Sequence, residues 1–187
     1  PRIRMHLKPR FQWGEVAPTL TRGSNHVRFV GPEQNMRLTT DAPIDHVLDG
    51  RMINLEGERT FILGPDETLS DSPEQIGTTF RTKTTRYWQR WTQRLAIPFE
   101  WQEAVIRAAI TLKLCSYEAT GGVIAAITTS LPEAPDSGRN WDYRYCWVRD
   151  AFFTVRALNS LAATRTLEHY FQWLMNAVAD AEGGHIQ

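Results

Sequence analysis

The hydrophobic period of this chain changes once, near residue 72, and that change limits what the chain can fold into. Ahead of it, Ile3-Arg4-Met5-His6-Leu7-Lys8 alternates apolar and polar residues as a half-buried strand does. Short runs at His26–Val30, Met36–Thr40, Arg51–Leu55 and Arg59–Leu63 continue the theme. Turn-forming stretches punctuate them: Arg22-Gly23-Ser24-Asn25, Val30-Gly31-Pro32, Leu48-Asp49-Gly50 and Leu63-Gly64-Pro65. Residues 1–72 therefore read as a sandwich-type antiparallel sheet. From Pro73 onward the apolar residues recur at three- and four-residue steps. Ile76, Phe80, Tyr87, Trp88, Trp91 and Leu95 form one stripe of a long helix, with Ser72 as N-cap and Pro73 at the first helical position. Pro98 breaks the pattern. Further helices are predicted over 100–116, 148–161 and 164–181, the last stopped by Gly183-Gly184.

The stretch from Thr120 to Trp147 carries no helical period. At about 28 residues it is far longer than the usual connection between helices, and its aromatic content argues against disorder. Chemistry is sought here. The informative run is Arg139-Asn140-Trp141-Asp142-Tyr143-Arg144-Tyr145-Cys146-Trp147-Val148-Arg149-Asp150. If extended, it places Trp141, Tyr143, Tyr145 and Trp147 on one face and Asn140, Asp142 and Arg144 on the other. A sugar ring offers an apolar face that packs on an aromatic ring. Its hydroxyl rim is recognised by the forked donors of Arg and by carboxylate acceptors. Arg149 and Asp150 supply one of each beside Trp147. The same pattern also arises in an ordinary buried strand whose charges pair, in helix capping by Asp near a positive dipole end, and in stacking of nucleic-acid bases.

Glycosidases use two carboxyl groups roughly 5–9.5 Å apart. An extended chain sets Asp142 and Asp150 about 20 Å apart, so a binding role for Asp150 fits better than a catalytic pairing.

Charge narrows the partners. The 187 residues carry 21 Lys+Arg against 21 Asp+Glu, which argues against nucleic acid bound through a basic face. No apolar run reaches the ~20 residues that span a bilayer, so no membrane partner is expected. Two cysteines, Cys115 and Cys146, are too few for a disulfide framework and lack zinc-ligand spacing. They read as buried thiols and lean the compartment toward the cytoplasm. The five His are scattered, and no cofactor or metal is suggested. Oligomeric state is not written in the pattern.

Three ordered motifs carry a resemblance: Thr120-Gly121-Gly122-Val123-Ile124-Ala125-Ala126, then Thr128-Thr129-Ser130-Leu131-Pro132-Glu133, then Arg139 to Asp150. With Tyr87-Trp88-Gln89-Arg90-Trp91 and Leu112-Lys113-Leu114 before them, they resemble glycoside hydrolase family 15, most closely its bacterial branch. That family includes glucoamylases, glucodextranases and trehalase-like enzymes. The resemblance implies a multi-domain β + α chain. Residues 1–72 would be the end of an antiparallel β-sandwich, 73–98 a linker helix, and 99–187 the first helices of an (α/α)6 barrel. It also implies that the sandwich begins before Pro1 and that the barrel continues past Gln187.

Carried over residue by residue, Arg149 and Asp150 match the pair that holds the hydroxyls of the non-reducing glucose at the cleavage subsite. Trp147 matches the aromatic two positions earlier, and Tyr143 a tyrosine packing by the same sugar. Trp141 and Tyr145 are further candidates. The family's general acid and general base glutamates, which cleave with inversion, have no counterpart among these residues. The implied activity is an exo-acting α-glucosidase of glucoamylase type, on a glucan or malto-oligosaccharide, with this chain supplying the glucose subsite. A trehalose-hydrolysing member is the alternative, and a non-catalytic carbohydrate-binding or regulatory protein on the same scaffold is another.

Overall fold

The computed structural model describes residues 1–127 and 129–180. They form antiparallel sheets plus several helices, a β plus α chain that separates into two compact units, Pro1–Tyr87 and Trp88–Gln187.

The first unit is built on a four-stranded antiparallel sheet of β2 (Thr19–Arg22), β3 (His26–Val30), β4 (Asn35–Thr40) and β6 (Phe61–Pro65), in the order β2-β3-β4-β6. Alternation along β3 sends Val27 and Phe29 inward, and the ladder sets Val27 opposite Leu38. Both are fully buried. Burying side chains of this size stabilises a fold by about 1.5–3 kcal/mol each. A second ladder pairs β1 (Arg2–Arg4) with β5 (Met52–Asn54). Phe11, Ile53 and two residues of the short helix α1 (Ile44–Leu48), Ile44 and Val47, complete the same core.

The sequence differs from the structure in three places here. The strand expected over Ile3–Lys8 is hydrogen-bonded only as far as Arg4. Burial still alternates as far as Arg10, so the period is real while the ladder is short. Strand β2 was not foreseen; the Gly23 turn makes it a hairpin with β3, Gly23 N donating to His26 O at 2.9 Å. Helix α1 was also missed, although Ile44, Val47 and Leu48 fall at i, i+3 and i+4. Gly50, at φ +62°, follows it.

Helix α2 (Pro73–Thr92) begins where the Ser-Pro cue places it. The Ser72 hydroxyl accepts the Gln75 N–H at 3.2 Å, satisfying one of the amides orphaned at a helix start. Its apolar stripe packs less than the period suggests: none of its residues is buried, and Phe80 is 71% exposed. The division between the two units falls inside this helix, after Tyr87.

The second unit contains α3 (Gln102–Leu114), a hairpin of β7 (Thr129–Pro132) and β8 (Asn140–Asp142), α4 (Val148–Ser160) and α5 (Thr164–Asp180). Helix boundaries agree with the sequence period to within two residues. The Gly183-Gly184 stop and Thr128 lie outside the described residues. Val123, Ala151, Val155 and Tyr170 form the core, with Cys146, Leu167, Trp173 and Leu174 packed against it. Tyr170 stacks on Trp173 at a centroid distance of 5.8 Å. Apolar residues on the outer faces of α4 and α5 stay uncovered, among them Phe152, Phe153, Phe171 and Met175.

Candidate functional site

The three sequence motifs, separated along the chain, are stitched together in space. Helix α3 ends at Leu114, and the chain turns back through Tyr117–Gly122 by way of Tyr117 N to Gly122 O and Gly121 N to Tyr117 O, both 2.8 Å. Ile124 N then donates to Cys115 O at 2.9 Å. Beyond it, Ala125 N donates to Tyr145 O at 3.1 Å and Ala126 N to Tyr143 O at 2.9 Å. The first motif is thus a brace for the third. The second motif joins through Glu133, whose carboxylate accepts the indole N–H of Trp141 at 2.7 Å.

The seat of the brace is Gly121. Its φ of +90° suits glycine, and an added Cβ would lie 2.2 Å from the carbonyl oxygen of His169 on α5. The turn therefore lies directly on the backbone of α5.

The aromatic run does not keep the extended form that its alternation predicts. Strand β8 stops at Asp142, and a turn follows. The Asp142 carboxylate accepts the Arg144 backbone N–H at 3.0 Å, Arg144 Nε at 3.0 Å and Arg144 Nη2 at 2.8 Å. An Asp side chain that captures the amide two residues on is the usual means by which Asp forces a turn. Four rings on one strand face are therefore replaced by a folded-back chain. The separation of about 20 Å inferred for Asp142 and Asp150 rested on extension and no longer follows. Asp142 remains committed to Arg144.

The turn brings Trp141 and Trp147 together, ring centroids 6.3 Å apart and planes at 81°. The Trp147 indole N–H donates to Asp142 O at 3.4 Å. Tyr143 is half-buried, and its carbonyl holds Ala126. Tyr145 is 69% exposed and is anchored through its backbone. Helix α4 starts at Val148, with Trp147 as an N-cap that makes no side-chain capping bond. Asp150 sits in the first turn, and its partner is Arg149 Nη2 at 3.3 Å. Among the described residues Arg149 is the one side-chain partner of Asp150, so capping does not occupy its carboxylate. Both side chains keep solvent access, 75% for Arg149 and 38% for Asp150. An indole, a guanidinium and a carboxylate thus occur within four residues at the head of one helix.

The hydrogen bonds from Arg144 hold the Asp142 carboxyl below its ordinary value of 3.8, against a weaker opposing effect of burial. A depressed carboxyl contributes to folding above its unfolded pKa, and that contribution is lost as pH falls through the folded value. Tryptophan fluorescence of the Trp141–Trp147 pair should hold steady above pH 3.8 and change below it. Asp142→Asn, which retains an acceptor for the turn, should remove that acid-limb change. Superimposable acid titrations of the two proteins would show that Asp142 does not set the turn.

Sequence reasoning missed three contributors: Glu133 as an indole acceptor, Asp142 as the turn former, and Tyr170, whose buried hydroxyl has no hydrogen-bond partner among the described residues. Burial pushes the Cys115 and Cys146 thiols and the Tyr170 hydroxyl above their ordinary values. Among the described residues, no group of three His, Cys, Asp or Glu is placed to hold a metal. No helix among them is long and apolar enough to cross a membrane.

Comparison with known proteins follows the same segment. The chain is 30% identical over 183 residues to a trehalase of Thermoplasma acidophilum, covering 95% of this chain and 32% of that protein. It is 34% identical over 162 residues to a trehalase of Mycolicibacterium smegmatis, covering 80% of this chain and 23% of that protein. A 77-residue stretch is 38% identical to trehalase 2 of Sulfolobus acidocaldarius, covering 41% of this chain and 13% of that protein. The chain thus spans about a third or less of the length of these relatives. No solved structure matches it. The model of glycosyl hydrolases family 15 matches residues 101–187, the stretch that holds all three motifs and the head of α4. Over that stretch the chain is similar to glycosyl hydrolases family 15.

Proposed function

We propose that the protein is a glycoside hydrolase acting on trehalose, and that this chain supplies the wall that grips the non-reducing glucose. The observation that carries the reading is the head of α4, where Arg149 and Asp150 pair at 3.3 Å just after Trp147 and all three side chains keep solvent access. In this reading Trp147 packs on the apolar face of the sugar. Arg149 donates to its hydroxyls, Asp150 accepts from them, and Tyr143 packs beside the same ring. Trp141 and Tyr145 are secondary candidates in this reading. The family's general acid and general base match no glutamate here, so both are assigned outside these 187 residues.

Trehalose is placed ahead of the glucan or malto-oligosaccharide substrates of a glucoamylase because the relatives described above are named trehalases. The finer architecture belongs to the same proposal. Residues 1–72 would close a β-sandwich, 73–98 would link, and 99–187 would open an (α/α)6 barrel. Two observations support it: the separate cores of the two units, and the uncovered apolar faces of α4 and α5.

Glucose release by the full-length protein from trehalose, maltose and soluble starch tests the function. Discrimination between substrates is a ratio of kcat/KM values, and trehalose should lead maltose by about tenfold or more. With inversion, trehalose should release α- and β-glucose in equal amounts, read by NMR before mutarotation. A lead for maltose or starch would return the protein to the glucoamylase type. Binding without release would mark a non-catalytic carbohydrate-binding protein.

A further inference from the structure

One indole is enough to carry the apolar face of a single pyranose, yet two stand at this site. Trp141 and Trp147 meet at 81°, and each keeps much of its surface open, at 44% and 39% exposed. Neither ring is left to rotate. Trp147 is tied to Asp142 O, and Trp141 to Glu133 Oε1 at 2.7 Å, a length typical of a bond to a charged acceptor. Glu133 is itself fixed. Its backbone N–H donates to Arg139 O at 3.1 Å, and its other carboxylate oxygen lies 3.6 Å from the Arg139 guanidinium. Pinning a large, half-exposed side chain costs rotamer freedom and returns little core packing. Such an expense is ordinarily offset by a ligand that uses the orientation.

We propose that Trp141, positioned by Glu133, is the wall for the second sugar ring, and that the right-angled corner selects a bent disaccharide. The inference rests on the trehalose reading above. In a 1,1-linked disaccharide both anomeric carbons share one oxygen, and the two rings fold out of a common plane. Successive rings of an α-1,4-linked chain turn more gently, along a wide helix. A corner with one ring face on Trp147 and the other on Trp141 suits the first shape. Glu133 acts only through Trp141 and is a positioning residue.

The full-length protein tests this by comparing a two-ring substrate with a one-ring competitor. Trp141→Ala should raise KM for trehalose about 10-fold, the scale of one well-placed aromatic contact. It should leave the inhibition constant of glucose within about twofold, because glucose needs only the Trp147 corner. Glu133→Ala should shift KM in the same direction. Glu133→Gln, whose amide oxygen still accepts the indole N–H, should restore a KM near the wild type, whereas Glu133→Met, of similar length but without that oxygen, should behave as Ala; a purely steric role would let Met restore KM as well. Should Trp141→Ala not fold, the Glu133 variants read the same quantity from an exposed side chain. An unchanged KM, or equal shifts for trehalose and glucose, would overturn the inference while the functional reading stands. A wild-type protein that leaves trehalose intact would instead remove the functional reading, and the inference with it.

Discussion

Asp150→Asn in the full-length protein is expected to lower kcat/KM for trehalose by on the order of 10²–10⁴-fold with little change in thermal stability. A carboxylate that bridges two hydroxyls makes two hydrogen bonds to a charged group, each contributing about 1.5–3 kcal/mol where water is excluded. Losing one of them and weakening the other by removal of the charge, at 1.36 kcal/mol per tenfold, accounts for that range. Asn has the same shape, but it replaces one acceptor oxygen with a donor and removes the charge. The hydroxyl facing the new NH2 is then left unpaired. Stability should move little, because among the described residues the one side-chain partner of Asp150 is the largely exposed Arg149. The remaining effect is loss of a negative charge near a helix N-terminus, worth about 0.3–1 kcal/mol. The separation between the two readouts is what decides the role. A fall in turnover matched by a fall in melting temperature would make Asp150 structural, and near-normal turnover would remove it from the sugar subsite.

Much of the helical part of the chain was legible because helices announce themselves over many residues. Ser72-Pro73 marks a start, Pro98 a break, and the three-to-four spacing along 148–161 and 164–181 repeats often enough to fix both ends. Helix α1, five residues long, offers a single turn of evidence and disappears among turn signals. The aromatic run stood out in composition and was misread in shape. Alternation at Trp141, Tyr143, Tyr145 and Trp147 signals a strand only while the backbone bonds to another strand. Here the Asp142 side chain outcompetes that ladder by taking the Arg144 amide. The cue was an Asp in mid-run, and the aromatic period masked it. The Glu133–Trp141 bond could not be read at all. It depends on the register of β7 against β8, which sets Leu131 opposite Trp141 and is shifted by an irregularity between Thr129 and Leu131. Likewise Thr120-Gly121-Gly122 showed that glycines were present, while the reason for the first of them lies some fifty residues away on α5.

That reason makes Gly121→Ala the most disruptive small substitution expected in the second unit, at about 2–5 kcal/mol of stability. Two costs add. A non-glycine residue held in the left-handed half of backbone space costs roughly 1–2 kcal/mol, and φ here is +90°. The new Cβ would also lie 2.2 Å from the His169 carbonyl oxygen, and a backbone atom inside a helix has no rotamer by which to escape. Relieving such a contact moves α5 or the turn, with an overpacking cost of about 1–3 kcal/mol. Either movement opens the packing of Val123 on Tyr170 and Ala151 and slackens the bonds from Ala125 and Ala126 to the Tyr145 and Tyr143 carbonyls. Any protein that still folds should therefore bind substrate more weakly, although Gly121 itself is not assigned to the sugar wall. Gly122→Ala supplies the control. Its Cβ would meet Trp173 no closer than 3.4 Å, an ordinary contact, and its cost should stay below about 1 kcal/mol. Thermal denaturation of the two variants side by side reads the difference. For a unit of this size, each kcal/mol corresponds to about 4–8 °C in Tm, so the gap between them should exceed 5 °C by a clear margin. Equal melting temperatures would mean that the turn does not rest on the backbone of α5, and the brace beneath the aromatic wall would have to be sought elsewhere.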